Sequence, residues 1–158
     1  MYLIILTIIL LDYLISYFIP SHFNQLNYFF PMLTLTFLVF YFKKNKTNNY
    51  LKIVFITGII YDLFFSYIFL FNTLIFLFFG KVLLKVDKLI RYNYFISLVM
   101  LIFFIFLYDF ILFGLVFISG YNVVTINDLI YKFNHSLILN ISFYLLITII
   151  FKNKKILK

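Results

Sequence analysis

Three carboxylates, Asp12, Asp62 and Asp109, interrupt stretches of sequence that are otherwise apolar. Asp62 lies in Gly58-Ile59-Ile60-Tyr61-Asp62-Leu63, and the apolar run continues through Phe64, Phe65, Ile68, Phe69, Leu70 and Phe71. At the centre of a membrane helix an ionisable side chain costs about 2.5 to 3.5 kcal/mol on insertion scales, so it turns toward a partner, a cavity or the bundle interior. The chemistry open to such acids is holding a polar partner, contacting a ligand, or intramembrane proteolysis by two acids brought together. The last requires motifs that a bare Tyr-Asp does not supply.

Other chemistries find no footing. His22 and His135 fall at one edge of the predicted helices without Asp or His at metal-ligand spacing. The chain has no Cys, so it has no thiolate nucleophile, disulfide or Cys-based metal site, and its four Gly form no phosphate loop. No Ser sits in a recognisable Ser, His and Asp arrangement. The sequence predicts no enzyme, no cofactor and no metal.

The elements that carry the acids follow from composition. Of 158 residues, 66% are hydrophobic and 11% charged, with 25 Phe, 14 Tyr and no Ala or Glu. A soluble domain carries about a quarter charged residues and could not cover this much Phe, Ile and Leu. The composition predicts an all-α integral membrane protein forming one domain over residues 1–158. With about 20 residues needed to cross about 30 Å of hydrocarbon, six apolar segments are expected, at residues 2–19, 26–42, 51–67, 70–84, 94–118 and 136–151. Segments three and four are short and read as a tight hairpin with a break near residues 66–72. Met1-Tyr2-Leu3 offers no basic region or cleavage site, so the first segment is expected to be retained.

Cations orient the segments, because Lys and Arg in short loops stay on the cytoplasmic side. Lys43, Lys44, Lys46 and Lys52 flank the second loop; Lys81, Lys85, Lys88 and Arg91 flank the fourth; Lys152, Lys154, Lys155 and Lys158 form the tail. Lys132 alone of the 13 cations falls in an odd-numbered loop. Both termini are therefore expected inside, and topology, not nucleic-acid binding, explains the net charge of +8. Lys81, Lys85 and Lys88 make an i, i+4, i+7 stripe suited to an anionic lipid surface. Asn45-Lys46-Thr47 matches a glycosylation acceptor, but in a loop expected on the cytoplasmic side.

On this topology Asp12, Asp62 and Asp109 share one depth, toward the outer leaflet. Two readings stand: water-reached acids near the outer interface, or a polar cluster and partner contact inside the bundle. Tyr61-Asp62 and Tyr108-Asp109 echo each other weakly, as an internal repeat or by chance. Thr125 precedes Asp128 by three residues, the spacing of a capping box with Asp in place of Glu, so helix six is expected to begin near Ile126 and run along the surface before descending. Ile126, Leu129, Ile130 and Phe133 would form its apolar face, toward lipid or an extracytoplasmic helix.

At Gly58-Ile59-Ile60-Tyr61-Asp62-Leu63, then Leu70-Phe71-Asn72-Thr73-Leu74-Ile75-Phe76-Leu77 and Gly80, the chain resembles the MreD family of bacterial rod shape-determining proteins. There a Gly-x-x-x-Asp helix is followed, after a short turn, by a Gly-Leu-x-Ala-Leu type segment ending in Gly. The match covers about 25 residues, and the six-segment layout, inside termini and Asn140 in the last segment are in keeping with it. Leu70 stands where the family usually has Gly, and Thr73 where it often has Ala.

The resemblance implies a non-enzymatic, multi-pass scaffold of the bacterial cytoplasmic membrane within the cell-elongation machinery. Its implied partners are a bitopic MreC-like protein and, through it, peptidoglycan synthases and MreB filaments. It also implies a fold similar to the substrate-binding subunits of energy-coupling-factor transporters. The candidate anchors are Gly58, Tyr61, Asp62, Asn72, Gly80, Asp109 and Asn140. The alternative is a substrate-binding subunit of a vitamin or metal transporter, with Asp12, Asp62 and Asp109 contacting the ligand. The first segment, with Thr7, Leu11 and bulky aliphatics, lacks the small residues by which such subunits dock.

Overall fold

The computed structural model describes residues 2–18, 31–44, 48–65, 70–90, 93–120 and 125–152. They form six helices: α1 Tyr2–Phe18, α2 Leu33–Lys44, α3 Asn48–Phe65, α4 Phe71–Leu89, α5 Tyr94–Ser119 and α6 Ile126–Lys152. At 1.5 Å per residue, α5 and α6, with 26 and 27 residues, extend about 39 and 40 Å. Both are long and apolar enough to cross a membrane.

Helix α2 is only 12 residues long, about 18 Å. Its residues from Leu33 to Phe42 are buried on every side, which is why its sequence shows no polar stripe. Helices α1, α5 and α6 pack around it and α4 touches its edge, while α3 lies along α4 and reaches α1. Aromatic rings fill the seams: Phe79 of α4 stacks on Phe104 of α5 at 4.3 Å, and Phe40 of α2 meets Tyr144 of α6 at 6.2 Å.

One end of the bundle gathers the last turns of α2 and the first turns of α3 and α5. The Tyr50 hydroxyl donates to the Leu38 carbonyl at 3.3 Å, the Tyr144 hydroxyl to the Tyr94 carbonyl at 3.1 Å, and Lys43 Nζ lies over the Tyr94 ring. Asn93 caps α5 by accepting from the Ile96 N–H at 2.8 Å. At the far end Gly120, at φ +63°, closes α5, a left-handed position that glycine takes without strain.

Several boundaries differ from those expected. Helix α2 begins at Leu33, not residue 26; α3 begins at Asn48; and α4 continues past residue 84 to Leu89, carrying Lys81, Lys85 and Lys88 on exposed positions. Helix α6 begins at Ile126, where the capping box placed it and ten residues before the apolar segment expected from 136, so Lys132 is a helical residue and not a loop cation. Its start is the capping box read from the sequence: the Asp128 carboxylate accepts from the Thr125 N–H at 2.7 Å and its hydroxyl at 2.8 Å. Leu129 and Phe133 turn inward from the expected apolar face, while Ile126 and Ile130 stay exposed. His22, Asn45-Lys46-Thr47, Arg91, Lys154, Lys155 and Lys158 lie outside the described residues.

Candidate functional site: carboxylates on interior helix starts

A helix that begins inside a bundle leaves its first N–H groups without water, and each orphaned donor costs about 1–3 kcal/mol. Helix α2 begins this way. The Met32 carbonyl accepts the Thr36 N–H at 2.9 Å, which makes Met32 the cap residue, and its thioether cannot cap. Asp12 of α1 does so instead, accepting from the Leu33 N–H at 2.9 Å, the Thr34 N–H at 2.8 Å and the Thr34 hydroxyl at 2.5 Å. Asn140 of α6 completes the set. Its Oδ1 accepts the Met32 N–H at 2.9 Å and the Thr36 hydroxyl at 3.2 Å, and its Nδ2 donates to the Ser136 carbonyl at 2.8 Å.

Helix α4 repeats the device. Leu70, its cap residue, has φ +64° and no side-chain hydrogen bond to offer. Asp62 of α3 accepts from the Asn72 N–H at 2.8 Å, the Thr73 N–H at 2.9 Å and the Thr73 hydroxyl at 2.6 Å. The positive end of the helix dipole favours the carboxylate there. The Tyr108 hydroxyl of α5 donates to Asn72 Oδ1 at 2.6 Å, tying this start to the next hairpin. Gly58 is what lets α3 come so close: a Cβ on it would stand 2.6 Å from the Thr73 Cα. Gly80 has a softer neighbour, Leu51 Cδ2 at 3.1 Å.

The third hairpin differs because α6 runs through this level unbroken and offers no free N–H. Asp109 of α5 meets side chains instead, with Lys132 Nζ at 3.7 Å and the Ser136 hydroxyl at 3.4 Å. Lys132, Ser136 and Asn140 recur at i, i+4, i+8, so one face of α6 serves both Asp109 and the start of α2.

The acids are therefore interior. Asp12, Asp62 and Asp109 are 0%, 4% and 0% exposed, which overturns the reading that water reaches them at an interface. Of the anchors named from sequence, Gly58, Asp62 and Asn72 meet at the α3–α4 turn, and Asp109 and Asn140 line the α5–α6–α2 seam. Tyr61 is buried among rings, 4.2 Å from Phe65 and 5.3 Å from Phe76. Gly80 packs on the first turns of α3, away from the carboxylates.

Sequence reasoning did not name Thr34, Lys132 or Ser136 as site residues, and it placed Asp12 in the shared polar cluster or against a ligand without assigning it a helix start to hold. A signal existed for Thr34: each buried acid of the first two hairpins is followed by a Thr at the next helix start. Lys132 was hidden by its place among presumed loop residues. The His135 ring packs against Tyr131 within α6, tilted by 44° with centroids 4.2 Å apart. Among the described residues no group of three or more His, Asp and Glu is placed to hold a metal.

Fold and site together define an all-helical bundle with an apolar exterior, built from consecutive hairpins whose buried acids hold the helix that follows. The family model for the rod shape-determining protein MreD matches residues 1–153, and the chain belongs to that family. Searches of the curated proteins and of the solved structures found no match.

Proposed function

We propose that the chain is a non-enzymatic scaffold of the bacterial cell-elongation machinery, crossing the cytoplasmic membrane six times with both termini inside. On this reading it binds a bitopic MreC-like protein and, through it, serves peptidoglycan synthases and MreB filaments. Family membership over residues 1–153 is the observation that carries it. The use of the acids agrees: Asp12 and Asp62 each accept three hydrogen bonds from a helix start, so they act as pins and not as reactive groups.

The membrane arrangement draws on two features. A non-helical lead-in within a bilayer is tolerated only where protein buries it, and Met32 is so buried. Lys43, Lys52, Lys85 and Lys88 belong to the ends of α2, α3 and α4 that the positive-inside rule places in the cytoplasm. The exposed Lys81, Lys85 and Lys88 would meet anionic lipid there. A fold similar to energy-coupling-factor substrate-binding subunits remains part of the proposal. The transporter alternative gains no support, since Asp12, Asp62 and Asp109 are all engaged within the bundle.

Depletion in the host tests the function. Rounded cells are expected, whereas normal rods with a vitamin-uptake defect would refute the scaffold and favour the transporter. Co-purification of the bitopic partner, lost in Asp62→Asn and kept in Asp109→Asn, would locate the partner-dependent pin in the second hairpin.

A further inference from the structure

Among the described residues, helix starts are capped in two ways. Helix α5 starts on its own Asn93 and α6 on its own Thr125 and Asp128, and these hydrogen bonds are exposed. Helices α2 and α4 each start on a carboxylate from the preceding helix, and those bonds are all buried. A start that meets water has its first N–H groups satisfied by water or by a local cap. A buried acid from another helix marks a start that water does not reach.

The surface around the start of α4 agrees. Leu63, Phe64 and Leu74 are exposed, at 73%, 40% and 66%. Asn72 and Thr73, the only polar residues described between Leu63 and Gly80, are buried. The described ends of α3 and α4 thus turn apolar side chains outward, as a surface facing hydrocarbon does. Length along the helices agrees as well. The Tyr108 hydroxyl on Asn72 sets Asp109 near the level of Asp62. From that level α3 continues three residues to Phe65, about 5 Å, whereas α5 continues ten residues to Ser119, about 15 Å. Helix α6 likewise extends ten residues from Ser136 back to Ile126. Helix α3 therefore ends about 10 Å short of the level that α5 and α6 reach.

We propose that the α3–α4 hairpin is re-entrant: it rises from the cytoplasmic side and turns back within the outer leaflet, where acyl chains, not water, cover Leu63, Phe64 and Leu74. The inference rests on the membrane arrangement proposed above and shortens two of its six crossings, with both termini still inside. Non-helical backbone at membrane depth is tolerated only where protein satisfies it. Asp62 does this for the start of α4, which lets the chain turn without reaching the far surface.

Depth is read with single spin-labelled thiols, because the chain has no Cys. Leu63→Cys tests the hairpin, Ile118→Cys marks the outer end of α5 and Phe103→Cys its interior; none of the three positions is buried, at 73%, 83% and 48% exposure. Purified full-length protein in dioleoyl phosphatidylcholine vesicles would be given oxygen, which enters hydrocarbon, and a polar nickel chelate on both sides, which stays in water. The label at 118 should collide with nickel, and the labels at 63 and 103 with oxygen alone. Nickel collisions at 63 matching those at 118, with 103 still shielded, would overturn the re-entrant hairpin and leave the membrane arrangement standing. Nickel collisions at 103 would overturn that arrangement, and the hairpin with it. Shielding at 118 equal to that at 63 would remove the difference in depth and also overturn the inference.

Discussion

A carboxylate that caps a helix from a neighbouring element does what the cap residue cannot. Leu70 and Met32 have no oxygen in their side chains, so Asp62 and Asp12 supply it from one helix earlier. In Asp62 the two oxygens divide the work: Oδ1 takes the Asn72 N–H, and Oδ2 takes the Thr73 N–H and hydroxyl. An Asn side chain has one acceptor oxygen and would turn its NH2 toward a donor. Asp62→Asn is therefore expected to destabilise by about 1.5–3 kcal/mol, the range for hydrogen bonds to a charged group, read from thermal unfolding in detergent. Leu70 offers the opposite test. Its φ of +64° costs a non-glycine residue about 1–2 kcal/mol, against about 0.5–1 kcal/mol of extra chain entropy for Gly. Leu70→Gly should leave stability unchanged or raise it by up to about 1 kcal/mol, measured the same way. At this scale the sequence was legible where type and surroundings clash, as at Asp62 and Asp109 in apolar runs. It was not legible where the partner is distant, as with Asp12 and Thr34, 22 residues apart.

At the scale of elements, hairpins α1–α2 and α3–α4 share one design, and α5–α6 departs from it because its second helix does not break. The six helices could be read from apolar runs and cation positions. The start of α2 at Leu33 could not, because the sequence ahead of it, Tyr28, Phe29, Phe30 and Pro31, is as apolar as the helix itself. The start of α6 was visible in the spacing of Thr125 and Asp128, whereas the apolar run alone begins at 136 and left Lys132 assigned to a loop. Lys132 shows why burial cannot be read from residue type alone, since its counterion lies on another helix. Close packing within the second hairpin depends on Gly58. Gly58→Ala should push the first turn of α4 off Asp62 and cost about 1–3 kcal/mol, the usual range for overpacking. Gly80→Ala should cost less in the same unfolding assay, because Leu51 can rotate away from the added methyl.

For the whole molecule, the polar groups form a connected belt within an apolar exterior. Asp62 holds Asn72, Asn72 takes the Tyr108 hydroxyl, Asp109 follows Tyr108 in sequence and faces Lys132 and Ser136, and Asn140 hands the chain to Met32 and Asp12. A belt of this kind specifies which helix follows which, where apolar side chains alone would pack interchangeably. The proposed topology has its own test in the cell. With an impermeant thiol reagent, Ser119→Cys should label from outside, and Lys88→Cys only after permeabilisation. The reverse pattern would invert the orientation.

The hold of Asp62 on the start of α4 is measured most directly by hydrogen exchange at the Asn72 and Thr73 amides, in the wild type and in Asp62→Asn. Both amides should exchange slowly in the wild type. In the variant they should exchange faster by about two orders of magnitude, the factor that about 3 kcal/mol gives, while Leu33 and Thr34, held by Asp12, stay protected. Equal exchange at Asn72 and Thr73 in the two proteins would contradict the role of the carboxylate as the cap of an interior helix.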